Sequence, residues 1–187
     1  GCGVVVLRRL SDALAAGDRI YSVICGSALN NDGHSNGLTA PNPEAQSEVI
    51  RAAWAKTNFP PSQVSYVETH GPGTILGDPI EATALGEVFS AQREEPLKIG
   101  SVKTNLGHLE AAAGMAGLLK TVLALHHGAL PPNLHFDTPN PYINFDQLKL
   151  QVVDQLEGFP KGEGGTTEQV RLAGVSLSLI NISEPPR

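Results

Sequence analysis

Apolar and polar positions follow two rhythms along the chain. Short apolar or β-branched runs at Val4–Leu7, Arg19–Ala28, Val64–Thr69, Leu97–Val102, Leu150–Val153 and Leu172–Ser176 predict strands. Between them, Ala45–Lys56 carries apolar residues at Val49, Ile50, Ala52, Ala53 and Trp54, and Pro79–Phe89 and Leu109–His127 are also helical in pattern. Asp78-Pro79 reads as an N-cap and first-turn pair, because proline needs no N–H there and the acid can accept from orphan amides. This β-α-β-α-β rhythm predicts a layered sheet covered by helices. The stretch Ala111–Gly117 is small on nearly every face and holds Gly114 and Gly117. Each glycine costs about 1 kcal/mol relative to alanine inside a helix, so this one is expected to lie buried between layers at close backbone approach. Two stretches read as irregular: a turn-rich loop from Asn30 to Pro43 and a glycine-rich surface linker over Phe159–Gln169.

Composition narrows the class. The 187 residues include 13 basic and 19 acidic side chains, for a net charge of −6, and no dense Lys/Arg run. A phosphate backbone finds no electrostatic footprint here, so nucleic acid is not an expected partner. Glu110 and Lys120 interrupt the most apolar stretch, which makes it a poor membrane span. Two cysteines, Cys2 and Cys25, lie outside any CxxC spacing and fit a reducing, cytoplasmic setting. Both read as buried structural thiols rather than nucleophiles. The chain opens on Gly1 without an initiator Met, which suggests a piece of a longer protein.

Two strand ends carry the candidate chemistry. Tyr66-Val67-Glu68-Thr69-His70-Gly71-Pro72-Gly73-Thr74 puts a histidine at the carboxyl end of a strand, followed by a glycine-rich turn, where open α/β sheets place ligands. Lys98–Glu110 repeats the design, strand then polar turn then helix, with Lys103 and His108 in the turn. An imidazole at a helix start feels the positive end of the dipole, so His108 is expected to be neutral and able to donate to a developing oxyanion. The plain alternatives are a capped turn at His70, a capping His108 and a Lys103 paired with a carboxylate. No metal site is expected.

These motifs resemble the two histidine motifs of the β-ketoacyl synthase (ketosynthase) domain of modular type I polyketide synthases. The resemblance runs through Glu68–Thr74, Gly77–Ala82 and Gly100–Gly114, and extends to Gly1–Leu10, Asn30–Asn42 and Pro131–Pro141. It covers residues 1–176, with 177–187 as a tail outside the family pattern, disordered or introduced by a frame change or junction. It implies a layered, thiolase-like α/β fold, of which this chain holds the end of the first half and most of the second. It also implies roles: His70, His108 and Lys103 as catalytic groups in a decarboxylative Claisen condensation, with Thr74, Gly71, Gly73 and Asn105 lining the substrate arm. No cofactor is implied beyond the phosphopantetheine arm of an acyl carrier protein. The implied partners are that carrier protein, the missing amino-terminal ketosynthase half, the acyltransferase domain of the same synthase and a second copy in a homodimer.

Three departures qualify the resemblance. The family's nucleophilic Cys lies upstream of this chain, so the isolated chain is expected to be inactive in acylation. Pro72 stands where the family usually has Thr, removing a hydroxyl and an N–H that would face the arm. After Ser176 the family's glycine-rich loop and last strand are replaced, which is expected to leave an open sheet edge. One rival reading is a condensing-fold remnant without catalysis, which binds a partner subunit or a carrier protein. Sister thiolase or chalcone-synthase-like enzymes are disfavoured, because the second reactive Cys and the His/Asn pair are missing.

Overall fold

The computed structural model describes residues 1–32, 41–91, 93–160 and 170–177. In chain order these form α1 (Leu10–Ala16), α2 (Pro43–Trp54), β1 (Tyr66–Glu68), α3 (Gly77–Phe89), β2 (Leu97–Gly100) and α4 (Lys103–Leu106). There follow α5 (Ala113–His127), β3 (Ala129–Leu130), α6 (Phe145–Leu148), β4 (Leu150–Val152), β5 (Glu157–Gly158) and β6 (Ala173–Val175). Four strands make one parallel sheet in the order β4-β2-β1-β6, and β3 pairs with β5 in a separate antiparallel ribbon.

Strand alternation sorts the core into two faces. Val67, Leu97 and Ile99 point to α3, where they pack on Ala82, Leu85 and Phe89, and α2 lies against α3. Tyr66 points the other way and joins Ala124 of α5, Leu130, Val153 and Phe159. Parallel strands thus have helices on both faces, as β-α-β crossovers demand. The expected α/β sheet is present, with β1 and β2 at its centre.

Several local expectations are corrected. Residues 4–7 and 19–28 form no strand, and α1 stands between them. Neither run has a ladder partner among the described residues, and Val4, Val6 and Ile24 are largely exposed. A strand exists only by pairing, so apolar content could not create one there. Cys25 is consequently exposed, as is Cys2, rather than buried. Asp78 is not the cap of α3: Leu76 precedes the helix, and Asp78 sits inside the first turn. The asparagine-proline form of that signal operates instead at α2, where the Asn42 side chain accepts from Glu44 N and Ala45 N ahead of Pro43.

The glycine-rich helix is fully buried on one face only. A 3₁₀ turn at Glu110–Ala112 leads into α5, whose buried residues Ala113, Gly117, Thr121 and Ala124 recur at helical spacing. The opposite face, with Met115, Leu119 and Leu123, lines an apolar groove of about 560 Å³ that Leu106, Leu109 and Leu156 complete. The loop at 30–43 is described only at its ends, where the Asn30 side chain donates to Ala45 O and the Asn42 side chain to Asp32 O. Most of the linker expected at 159–169, and the tail beyond Leu177, lie outside the described residues.

Leu85 is 1% exposed at the centre of the α3 side of the core. Leu85→Ala is expected to destabilise the folded domain by about 2–5 kcal/mol, read as a lower urea midpoint at unchanged slope.

Candidate active site

The turn after β1 is shaped by carboxylates of the next helix. Glu81, buried in α3, accepts from His70 N at 2.8 Å on one oxygen and from Gly71 N at 2.9 Å on the other. One turn earlier, Asp78 accepts from Gly73 N at 3.0 Å and Thr74 N at 3.3 Å. Four backbone donors, interrupted only at Pro72, are thereby drawn onto two acids of one helix. Gly71 and Gly73 have φ of +45° and +74°, the left-handed region that glycine enters without strain. A side chain at Gly71 would also press on Ser101, whereas nothing stands within 4 Å of the Cβ position of Gly73. Thr74 Oγ1 accepts from Gly77 N, and its hydroxyl keeps one proton to donate.

The turn after β2 is held from three sides. Val102 N donates to Glu68 Oε1, Ser101 N donates to Asn133 Oδ1 at 3.0 Å, and the Ser101 hydroxyl reaches His70 O at 3.4 Å. Lys103 begins the one-turn helix α4, and the chain then passes Gly107 (φ +77°) to His108. His108 is exposed and precedes the helix rather than starting it. Its Nδ1 accepts from Glu110 N at 2.9 Å, a geometry that goes with a left-handed Glu110 (φ +52°). A neutral ring that accepts on Nδ1 carries its proton on Nε2. The capping and oxyanion-donor readings of His108 are therefore compatible, since each uses a different ring nitrogen.

These two turns bring the histidines together. The rings of His70 and His108 lie 5.5 Å apart, centre to centre, at 82°. His70 Nδ1 is buried with no hydrogen-bond partner among the described residues. Burial, then the charge of Lys103, then His108 hold the His70 imidazole down to about 4, so it is neutral at pH 7. Lys103 is itself held below the usual lysine range by burial, against the opposing pull of Glu81 and Glu68. It makes no ion pair among the described residues. Asn105 is exposed on α4, and its Oδ1 accepts from the Thr104 hydroxyl.

Sequence patterning does not single out the polar groups behind the turns. Glu68 and Glu81 are each almost wholly buried, and Lys120 Nζ lies 2.8 Å from Glu68 Oε2. Tyr66 donates to the same oxygen while accepting from Lys120 at 2.9 Å, and its hydroxyl is pushed far up by burial and by the Glu68 charge. A glutamate near the end of an apolar strand run, and a lone lysine in an apolar helix, are the signals that could have found them. No cluster of three or more His, Cys, Asp or Glu suited to a metal ion occurs among the described residues. Nor is any described helix long and apolar enough to cross a membrane.

The parallel sheet, with both histidine-bearing turns at its carboxyl edge, matches the thiolase-like α/β fold of ketosynthase structures. The chain belongs to the family of the beta-ketoacyl synthase C-terminal domain, whose model matches residues 21–137, and is the C-terminal portion of a modular polyketide synthase ketosynthase domain. It is 60% identical over 178 residues to a phenolphthiocerol/phthiocerol polyketide synthase of Mycobacterium tuberculosis, covering 94% of this chain and 9% of that one. It is 51% identical over 178 residues to the erythronolide synthase EryA3 of Saccharopolyspora erythraea, covering 94% of this chain and 6% of the relative. The chain thus spans about a tenth or less of the length of these relatives. Among solved structures, the oxazolomycin ketosynthase domain OzmH KS7 of Streptomyces albus matches with a TM-score of 0.87 at 34% identity, over 96% of this chain and 34% of that chain. The ketosynthase from module 6 of the bacillaene synthase of Bacillus subtilis matches at 0.78 and 42%, over 86% of this chain and 28% of its own.

Histidine NMR titration of the domain is expected to show His70 neutral down to about pH 4. Lys103→Met removes a nearby positive charge that opposes protonation, so it should move the His70 midpoint upward. An unmoved midpoint would place Lys103 too far away to act on the ring.

Proposed function

We propose that this chain supplies the decarboxylation and enolate-stabilising half of a ketosynthase site, acting on a malonyl-type extender carried by an acyl carrier protein. The observation that carries the reading is the pairing of His70 and His108 at 5.5 Å, with His70 kept neutral and His108 engaged at Nδ1. In this reading the extender's thioester carbonyl oxygen accepts from the two imidazoles. The bond to the carboxylate carbon breaks, carbon dioxide leaves, and the electron pair moves into the enolate whose oxygen the N–H donors hold. The enolate carbon then attacks an acyl thioester carbonyl, the thiolate departs, and a β-ketoacyl product remains on the carrier. Lys103 adds positive potential beside the enolate without donating to a carboxylate of its own. Preorganised donors of this kind favour the charge that appears only in the transition state.

Thr74 and the turn Gly71–Gly73 serve the phosphopantetheine arm in this proposal: the Thr74 hydroxyl keeps a proton to donate and Gly73 leaves open space. Asn105 is assigned to the arm on the resemblance alone. Residues 1–176 form the ketosynthase portion, and 177–187 stand outside it. The acylated cysteine comes from the amino-terminal half of the domain, which would cover the open face of α5. The remaining partners are the acyltransferase domain, a second ketosynthase copy and the carrier protein, all in the cytoplasm. Without the cysteine-bearing half the chain does not form an acyl enzyme.

Release of carbon dioxide from malonyl pantetheine separates this reading from that of a binding-only remnant, because decarboxylation needs the histidines and not the acylated cysteine. In the ketosynthase domain that carries this chain, His108→Ala is expected to lower the rate about 10²–10³-fold, the loss typical of one oxyanion donor. Wild-type rates in both His70→Ala and His108→Ala would sink the catalytic assignment and favour the binding module.

A further inference from the structure

Glu68 is 2% exposed, and its partner Lys120 has only 9% of its side chain exposed. Burying such a pair costs several kcal/mol per ion before their attraction is counted, and apolar replacements of similar volume are often no less stable. Stability alone is a weak reason for this pair. Its geometry gives a better one. Lys120 and Tyr66 both engage Oε2, which fixes the carboxylate in one orientation and leaves Oε1 to accept from Val102 N, one residue before Lys103.

The helix that Lys103 begins has four residues and no side-chain cap. So short a turn cannot hold its own direction, because a single turn lies at the unfavourable, nucleating end of helix formation. Its placement depends on anchors outside it: Glu68 on Val102 N and Asn133 on Ser101 N. Room for the Glu68 anchor comes from glycines inside regular elements. A Cβ at Gly117 of α5 would stand 3.2 Å from Glu68 Cγ, and one at Gly100 of β2 would stand 2.8 Å from the Tyr66 hydroxyl and 3.0 Å from Asn133 Oδ1. Glycine weakens both elements, so its presence at these two points of closest approach favours the network over the helix and strand themselves.

We propose that Glu68, locked by Lys120 and Tyr66, is a positioning residue that sets Lys103 against His70 through the backbone N–H of Val102. The proposal rests on the assignment of Lys103 to decarboxylation made above. It predicts that the acceptor at position 68 matters more than its charge.

Two independent variants of the intact ketosynthase domain test it, with malonyl pantetheine as substrate. Val102→Pro removes the donated N–H at a residue whose φ of −63° is already the value proline imposes. Glu68→Leu/Lys120→Met replaces the buried pair with apolar groups of similar size. Both are expected to lower kcat for carbon dioxide release by about tenfold or more with KM nearly unchanged, the pattern of an interaction made in the transition state. Both should also move the His70 midpoint upward in the NMR titration as Lys103 drifts from the ring. Glu68→Gln/Lys120→Met keeps an acceptor for Val102 N and should recover most of the lost kcat. Wild-type kcat and an unmoved His70 midpoint in Val102→Pro overturn the proposal, as does a Gln/Met variant no better than the Leu/Met one. If the Leu/Met variant fails to fold, Val102→Pro decides, because it leaves the ion pair intact. Loss of activity in His108→Ala alongside a wild-type Val102→Pro sinks the positioning role alone, whereas unaffected His70→Ala and His108→Ala sink the reading beneath it.

Discussion

A carboxylate out of water must be matched by hydrogen-bond donors, and the placement of both histidine-bearing turns follows from how this chain meets that demand twice. Glu68, on the last residue of β1, collects a tyrosine hydroxyl, an ammonium from α5 and a backbone N–H from the turn after β2. Three elements distant in sequence are tied at one point because the energetic penalty for leaving an oxygen unpaired there is large. Neither turn could be displaced without exposing that penalty. The sheet supplies the parallel register, and the buried acid converts the register into fixed positions for side chains.

Glu81 meets the same demand from the other side. It approaches from α3, accepts from His70 N and Gly71 N, and is also bonded by the Ser176 side chain at the end of β6. Burial raises its proton affinity while those donors lower it, the balance of a carboxylate that is desolvated yet fully bonded. The glycines at 71 and 73 allow the backbone to turn its N–H groups inward onto the helix. What remains beside the turn is the half-buried His70 ring, short of a partner at Nδ1 among the described residues and poor at holding a second proton. A histidine so placed is a donor or acceptor at neutral pH and not a cation.

Signals that are local in sequence were legible, and those that need a partner elsewhere were not. The centre of the sheet, the helices at α2, α3 and α5, and both histidine turns follow from periodicity and from glycine beside a strand end. Residues 19–28 show the limit: the run is apolar enough for a strand, but strand pairing is decided by a neighbour that composition does not name. Asp78 shows another, since an acid before proline satisfies the capping pattern equally well whether it caps the helix or reaches back to Gly73 and Thr74. Glu68 and Lys120 sit 52 positions apart, and only the fold reveals that each is the other's counter-charge. The family motif contained Glu68 and Glu81 in plain view, yet their chemistry as acceptors depends on which backbone donors the turns present.

The polar and apolar parts of the site are unequally complete. The buried carboxylates behind the histidines find their partners inside this chain, while the apolar groove along α5 borders Val102 and Lys120 with Leu123 exposed and Met115 and Leu119 half-buried. Electrostatic stabilisation is strongest where water is excluded, and His108 is exposed. His108 therefore sits in a more water-like setting than His70, whose ring is held neutral chiefly by burial. α5 thus faces the groove on one side and, through Lys120 and Glu68, holds the anchor of the turn that carries Lys103 on the other, so the polar and apolar parts of this region meet on one helix.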